Sequence, residues 1–207
     1  MTDHLETEQK YEADDEFVLP SLDELPSVDL VTESELYRLD ATYFDTPDLA
    51  LIRNKVTLRR RTGGSDEGWH LKLPVSAGTR QEVNEPLGSA LSATEVPLRL
   101  SSRVAHLTAG RPLHPIANLH TERTVRRLLD HAGTPRAEVA DDHVTAQRLS
   151  ADSAAVTWRE IEIELIGPEP PGLLAAASKL LTTAGARPAR SASKLGRLLS
   201  ETARLET

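Results

Sequence analysis

Residues 158–165 read Trp-Arg-Glu-Ile-Glu-Ile-Glu-Leu, with an acidic side chain at every second position from Glu160 to Glu164. Period two is the mark of a β-strand, whose side chains point alternately to its two faces. Glu160, Glu162 and Glu164 therefore share one face, and Ile161, Ile163 and Leu165 the other. Like charges in a row repel, so the acidic face requires either water or a cation. The same alternation recurs with mixed signs in Glu6, Glu8 and Lys10, in Arg59 and Arg61, and in His70 and Lys72. It returns in Arg80 and Glu82, in Arg123 and Arg127, and in Glu138 and Asp142. A chain patterned in this way is committed to a sheet of many two-faced strands.

Eight strands are predicted, over 4–12, 37–45, 55–62, 68–74, 79–85, 116–129, 135–148 and 156–166. Gly63-Gly64 with Asp66-Glu67-Gly68 marks one hairpin, and His131-Ala132-Gly133 before Pro135 marks another. Short helices are predicted at 20–26 and 32–36, and a longer one at 93–109, where Ser92-x-x-Glu95 has the form of a capping box. Pro170-Pro171-Gly172 ends the last strand before a helix over 173–184, and an amphipathic helix follows over 191–205. No repeat or linker interrupts the pattern, so residues 1–207 are expected to form a single domain. Short antiparallel connections between eight strands predict an α+β fold, a closed antiparallel β-barrel flanked by helices and finished by a C-terminal helix.

The 207 residues carry a net charge of −8, which argues against a nucleic-acid-binding surface. No apolar run is long enough to span a bilayer, and the acidic start is unlike a secretory signal. With no cysteine, thiolate metal sites are excluded. The expectation is a cytoplasmic protein with neither membrane nor nucleic acid as partner. The chain holds 19 Arg and five Lys, and Lys10, Lys72 and Lys194 are three of the five. Where Arg is the default cation, a retained Lys marks a place for a compact, mobile point charge.

If the charged faces converge, cations and carboxylates interleave in one cavity, and burying them requires pairing, water or a ligand. A polyanion with a divalent metal satisfies that requirement. Arg and Lys would hold phosphates, and hard carboxylate oxygens would hold Mg²⁺ or Mn²⁺. Taken one at a time, each motif suits a solvated strand face equally well.

In order along the chain, the motifs resemble those of the CYTH family, the triphosphate tunnel metalloenzymes. Glu6-x-Glu8-x-Lys10 matches its ExExK signature. The likeness continues through Tyr43-Phe44-Asp45-Thr46-Pro47, Leu58-Arg59-Arg60-Arg61 and Gly68-Trp69-His70-Leu71-Lys72. It extends through Ala137-Glu138-Val139-Ala140-Asp141-Asp142, Glu160-Ile161-Glu162-Ile163-Glu164 and Ser193-Lys194-Leu195. It is nearest to the bacterial CYTH domains that precede a helical CHAD domain, which makes such a domain in a longer parent protein an expected partner. The resemblance implies a tunnel open at both ends and hydrolysis or cyclisation of triphosphates. By position, Lys10, Arg59, Arg61, Lys72, Arg80, Arg123 and Lys194 would hold the phosphates. Glu6, Glu8, Glu160 and Glu162 would bind metal together with Asp142, for which the neighbouring Asp141 competes. Lys194 would close over the tunnel, and Glu6, Glu8, Lys10 and Lys194 would be the catalytic set.

The expected activity is hydrolysis of inorganic triphosphate to pyrophosphate and phosphate. The alternatives are thiamine or nucleoside triphosphate hydrolysis, class IV adenylyl cyclisation, and polyphosphate binding without turnover. Few aromatic rings are available to stack a base, and no P-loop is present. None of the seven histidines has metal-ligand spacing, and His70 stands out only by sharing a face with Lys72. Trp69 and Trp158 are expected on the barrel's exterior beneath helices, and Asp45 as a local cap.

Overall fold

The computed structural model describes residues 2–89, 92–150 and 153–205. Eight long strands close on themselves: β1 (Thr2–Ala13), β3 (Glu35–Asp45), β4 (Thr57–Thr62), β5 (Gly68–Ser76), β6 (Thr79–Glu85), β7 (His114–Leu129), β8 (Pro135–Arg148) and β9 (Val156–Leu165). They run antiparallel in the order β1-β6-β5-β4-β3-β7-β8-β9, and β9 returns to β1. Two short strands decorate this barrel, β2 (Leu30–Val31) on β7 and β10 (Arg187–Pro188) on β1. The closing strand is shared along its length. Thr2–Thr7 pair with β6, while Glu8–Ala13 pair with β9.

The expected alternation explains which side is out. Ile161 and Ile163, with Tyr11, Val139 and Leu128, pack beneath α3 (Leu173–Thr183) through its Leu173, Ala177 and Leu181. Phe44, Leu58, Trp69 and Leu71 form a second outer cluster, covered by Leu100 and Val104 of α2 (Leu98–Thr108). Each buried Leu or Ile contributes about 1.5–3 kcal/mol. These helices therefore hold the barrel from outside and leave the polar faces to the interior.

Several predicted boundaries shift. Residues 20–26 form turns and 32–36 run extended into β3, so neither is a helix. Leu22, Leu25 and Val28 are spaced like a helical stripe, but they are joined by successive i→i+3 bonds of 3.2 Å. Ser27 has φ of 65° and Pro26 has no N–H, and these two residues end any continuation. The 93–109 helix starts only at Leu98, because Pro97 disfavours helical backbone at Val96. The last helix, α4 (Lys194–Leu205), begins later than residue 191: Ser193 caps it by accepting the Gly196 N–H at 3.1 Å. A four-residue helix α1 (Ala50–Arg53) was not predicted. Asp45 creates it, accepting N–H bonds from Thr46, Leu51 and Ile52 at 2.7–3.0 Å. Trp158 is not outside. It has the parity of Glu160 and lies at one end of the barrel interior with Tyr43, Leu119 and Val144, beneath Leu195 and Leu198 of α4.

Candidate functional site

Inside the barrel, a cavity of about 200 Å³ is lined by His4, Glu6, Lys10, Tyr43, Arg59, Arg61, Lys72, Arg80, Glu82, Arg123, Glu162, Glu164 and Lys194 among others. Charged side chains of β1, β4, β5, β6, β7 and β9 thus face one another there, and β3 contributes Tyr43. Glu6, Glu8, Glu82, Asp142, Glu160 and Glu162 are all buried.

One wall is crowded with ion pairs. The Arg123 guanidinium donates to both oxygens of Asp142 at 2.8 and 2.7 Å, and to Glu162 Oε2 at 2.6 Å. Lys10 binds Glu8 at 2.8 Å and also Glu162. Lys194 Nζ lies 2.7 Å from each of Asp142, Glu160 and Glu162. Burial alone would raise the Glu162 and Asp142 carboxyls, but the surrounding cations overcome it. Lys10, Lys194 and Arg123 hold Glu162 well below the carboxylate range, and Arg123 and Lys194 lower Asp142. Glu160 pairs with Lys194 but not with Arg123 or Lys10, and burial raises it. Trp158 Nε1 donates to Glu160 Oε2 at 2.6 Å, fixing that carboxylate. Arg197 of α4 stacks over the same indole at 5.0 Å.

The other wall is poor in anions. Arg59 has only the Tyr43 hydroxyl, at 3.5 Å, and its Nε is unpartnered. Among the described residues no carboxylate is in ion-pair range of it. Arg61 is buried and pairs with Asp66, whose side chain is 60% exposed in the β4–β5 turn. Burial, followed by repulsion from Arg59 and Arg123, lowers Arg61 to about 9. Gly63 makes the turn possible: its φ is 79°, and a Cβ there would meet the Arg38 carbonyl oxygen at 2.1 Å. His70 bridges the turn to the barrel, with Nδ1 at 2.6 Å from Glu82 and Nε2 at 2.9 Å from the Asp66 carbonyl. Burial lowers the ring to about 4, against the Glu82 bond, which raises it. Lys72 reaches Glu6, and Glu82 at 3.6 Å, while Arg80 pairs with Glu8 at 3.2 Å.

Twelve residues singled out in the sequence therefore sit inside one barrel: Glu6, Glu8, Lys10, Arg59, Arg61, Lys72, Arg80, Arg123, Asp142, Glu160, Glu162 and Lys194. Of the five expected metal ligands, Asp142, Glu160 and Glu162 bring oxygens within 4.8 Å of one another. Glu8 adjoins that trio through Lys10, whereas Glu6 lies with Lys72. Parity separates residues 141 and 142. Asp141 points outward to Arg159, at 2.9 and 2.8 Å, and Asp142 points in. Tyr43, Trp158, Asp66 and the His70–Glu82 pair were not assigned to the site from sequence. The shared parity of Trp158 and Glu160 was the available signal.

Apolar side chains around Trp158 pack with helix α4 at one end of the interior. Beside it, a groove of about 850 Å³ between the β5–β6 hairpin and residues 189–200 reaches Lys10, Arg80 and Ser193, which also line the inner cavity.

A closed eight-stranded antiparallel barrel with mixed charges in its interior defines the class of triphosphate-tunnel folds. The model of the CYTH domain matches residues 4–198, and the chain belongs to that family. A putative adenylate cyclase of Bacillus halodurans shares the fold with a TM-score of 0.60 at 19% identity, over 95% of this chain and 98% of that one. A putative adenylyl cyclase of Hippeastrum does so with a TM-score of 0.56 at 18% identity, over 96% of each chain. Two uncharacterised proteins from strains of Mycobacterium tuberculosis are 40% identical over 96% of this chain. The chain spans 41% of the length of these relatives. Among the described residues no helix is long and apolar enough to cross a membrane.

Proposed function

We propose that this chain is a metal-dependent triphosphatase whose substrate is inorganic triphosphate. The observation that carries the reading is the split interior: the buried guanidinium of Arg59 on β4, with no carboxylate in ion-pair range, lines one cavity with Glu162, a member of the carboxylate trio on β8 and β9. Arg59 and Arg61 are the natural seat of a phosphoryl group, since a guanidinium fork matches phosphate oxygens. Lys72, Arg80, Arg123 and Lys10 extend the positive track. The Tyr43 hydroxyl orients Arg59.

The trio suits Mg²⁺ or Mn²⁺ by donor chemistry, being all carboxylate oxygen, and buried Glu6 Oε2 is a further acceptor with no hydrogen-bond partner. Glu8 is the remaining carboxylate at hand. When bound, such an ion would neutralise phosphate charge and favour attack by water at phosphorus. The protein's own part is to align the chain of phosphates, hold the charge that develops on the leaving pyrophosphate, and keep Asp142 and Glu162 ionised, Arg123 beside both and Lys10 beside Glu162. The neighbouring Hippeastrum protein is described as having a dominant triphosphatase activity, which supports the choice of hydrolysis. The side groove favours a second reading, in which the triphosphate carries an organic group lying between Val75, Ile52 and Leu199. A CHAD domain in a longer parent protein would make polyphosphate the wider ligand class.

A phosphate-release panel decides between these readings. It compares tripolyphosphate, ATP, thiamine triphosphate and long polyphosphate, each with Mg²⁺, Mn²⁺ or chelator. Tripolyphosphate with a divalent ion is expected to turn over fastest. Glu162→Gln and Glu6→Gln should each lower that rate by about a hundredfold or more, of the size that loss of a charge-stabilising group produces. Undiminished turnover in both variants overturns the assignment.

A further inference from the structure

Lys194 enters the barrel from the first turn of α4, and its buried ammonium stands 2.7 Å from one oxygen each of Asp142, Glu160 and Glu162. Among the described residues these are the carboxylates that converge closely enough to hold a metal ion. A Mg²⁺ ion needs oxygens at about 2.0–2.1 Å, so an ion drawn in by all three would lie almost on top of Nζ. The charges give the same answer. The trio already faces three cations, Lys194, Arg123 and Lys10. Adding a divalent ion with all three in place would set like charges against one another at close range in a buried setting.

We infer that Lys194 competes with the divalent ion for the carboxylate trio, closing it in the free protein and releasing it when a polyphosphate anion draws the ammonium away. Lys194 lines the same cavity as Arg59 and Arg61, so Nζ can turn from the carboxylates to an anion without leaving the interior. A lysine suits this use, being a compact charge on a flexible stem in a chain that otherwise favours arginine. Metal and anion would then load together, each raising the affinity for the other by the same factor. The identity of the anion rests on the triphosphatase reading, but the competition with metal does not.

The test measures binding rather than turnover. Mn²⁺ alone is titrated by electron paramagnetic resonance, and tripolyphosphate by calorimetry in chelator, where no hydrolysis occurs. Lys194→Met should bind Mn²⁺ tighter, by about the ten- to hundredfold that outer-shell partners exert on metal sites. It should also bind tripolyphosphate more weakly, so the two changes have opposite signs. Adding Asp142→Asn to Lys194→Met should abolish the gain, which locates the Mn²⁺ in the trio. Unchanged or weaker Mn²⁺ binding by the folded single variant overturns the proposal. A wild-type measurement covers the case of a variant that does not fold. At Mn²⁺ concentrations that saturate the wild type, an amine reagent should label Lys194 faster, as read by mass spectrometry. Unaltered labelling is equally fatal. If the wild type fails to bind tripolyphosphate in chelator, the substrate assignment falls while the Mn²⁺ result stands.

Discussion

At the scale of single residues, the barrel interior shows how neighbours divide chemically identical groups. Glu162 and Glu164 are two positions apart on one strand face, yet burial followed by Glu6 raises Glu164 to about 7, while three cations hold Glu162 down. An acid whose folded pKa is raised loses stability as pH climbs. Below about 4.3 both states are neutral; between there and 7 the unfolded chain gives up the proton first, and the loss is complete above 7. Its size at pH 8 is on the order of 3 kcal/mol. Glu164→Gln is therefore expected to stabilise the metal-free protein at pH 8 and to be nearly neutral at pH 4, as checked by urea denaturation at both values. Equal effects at the two pH values would show that ionisation of Glu164 is not the cause. The sequence revealed Glu164 as a member of the acidic row, but its environment depends on Glu6 and Glu8 of another strand, and no spacing records that.

Among the elements, strands were far more legible than helices. A strand such as β9 writes both faces into consecutive residues, so the split of Ile161 from Glu160 could be read at once, while which face turned inward was decided by the helices that cover the other. Trp158 was misplaced because an indole suits either side, and only its hydrogen bond to Glu160 and the cover from α4 settle the matter. Segment 20–26 was read as helix, although turns rather than a helix bring Leu22 and Leu25 to the core. Helix α1 was missed because it owes its existence to a residue outside it. Asp45→Ala should strand three N–H donors and destabilise the protein by about 2–4 kcal/mol, since a buried unsatisfied donor costs about 1–3 kcal/mol and some will find water. Asp45→Asn, which keeps one acceptor oxygen, should lose less. Denaturant midpoints measure both, and a loss within about 0.5 kcal/mol, the range of ordinary surface changes, would contradict this account of the helix.

Across the whole molecule, the order of pairing in the barrel has a consequence for how the chain acquires its site. Strand β1 is laid down early, but half of its length must find β9, and Lys10 meets Glu162 across 152 positions of sequence. Contacts so remote form late and slowly, because the intervening loop must first be closed. Hydrogen exchange during refolding should show Glu8–Ala13 of β1 and their partners in β9 gaining protection in one phase, after the adjacent β7–β8 hairpin; protection of Glu8–Ala13 before β9 would refute this. The seam that closes the barrel is also the place where Glu8 and Lys10 face Glu162. During synthesis, then, no partial chain presents the assembled charges. A ribosome must release all of β9 before the acidic trio acquires its cations, and until then the nascent protein would offer cellular metal only scattered carboxylates.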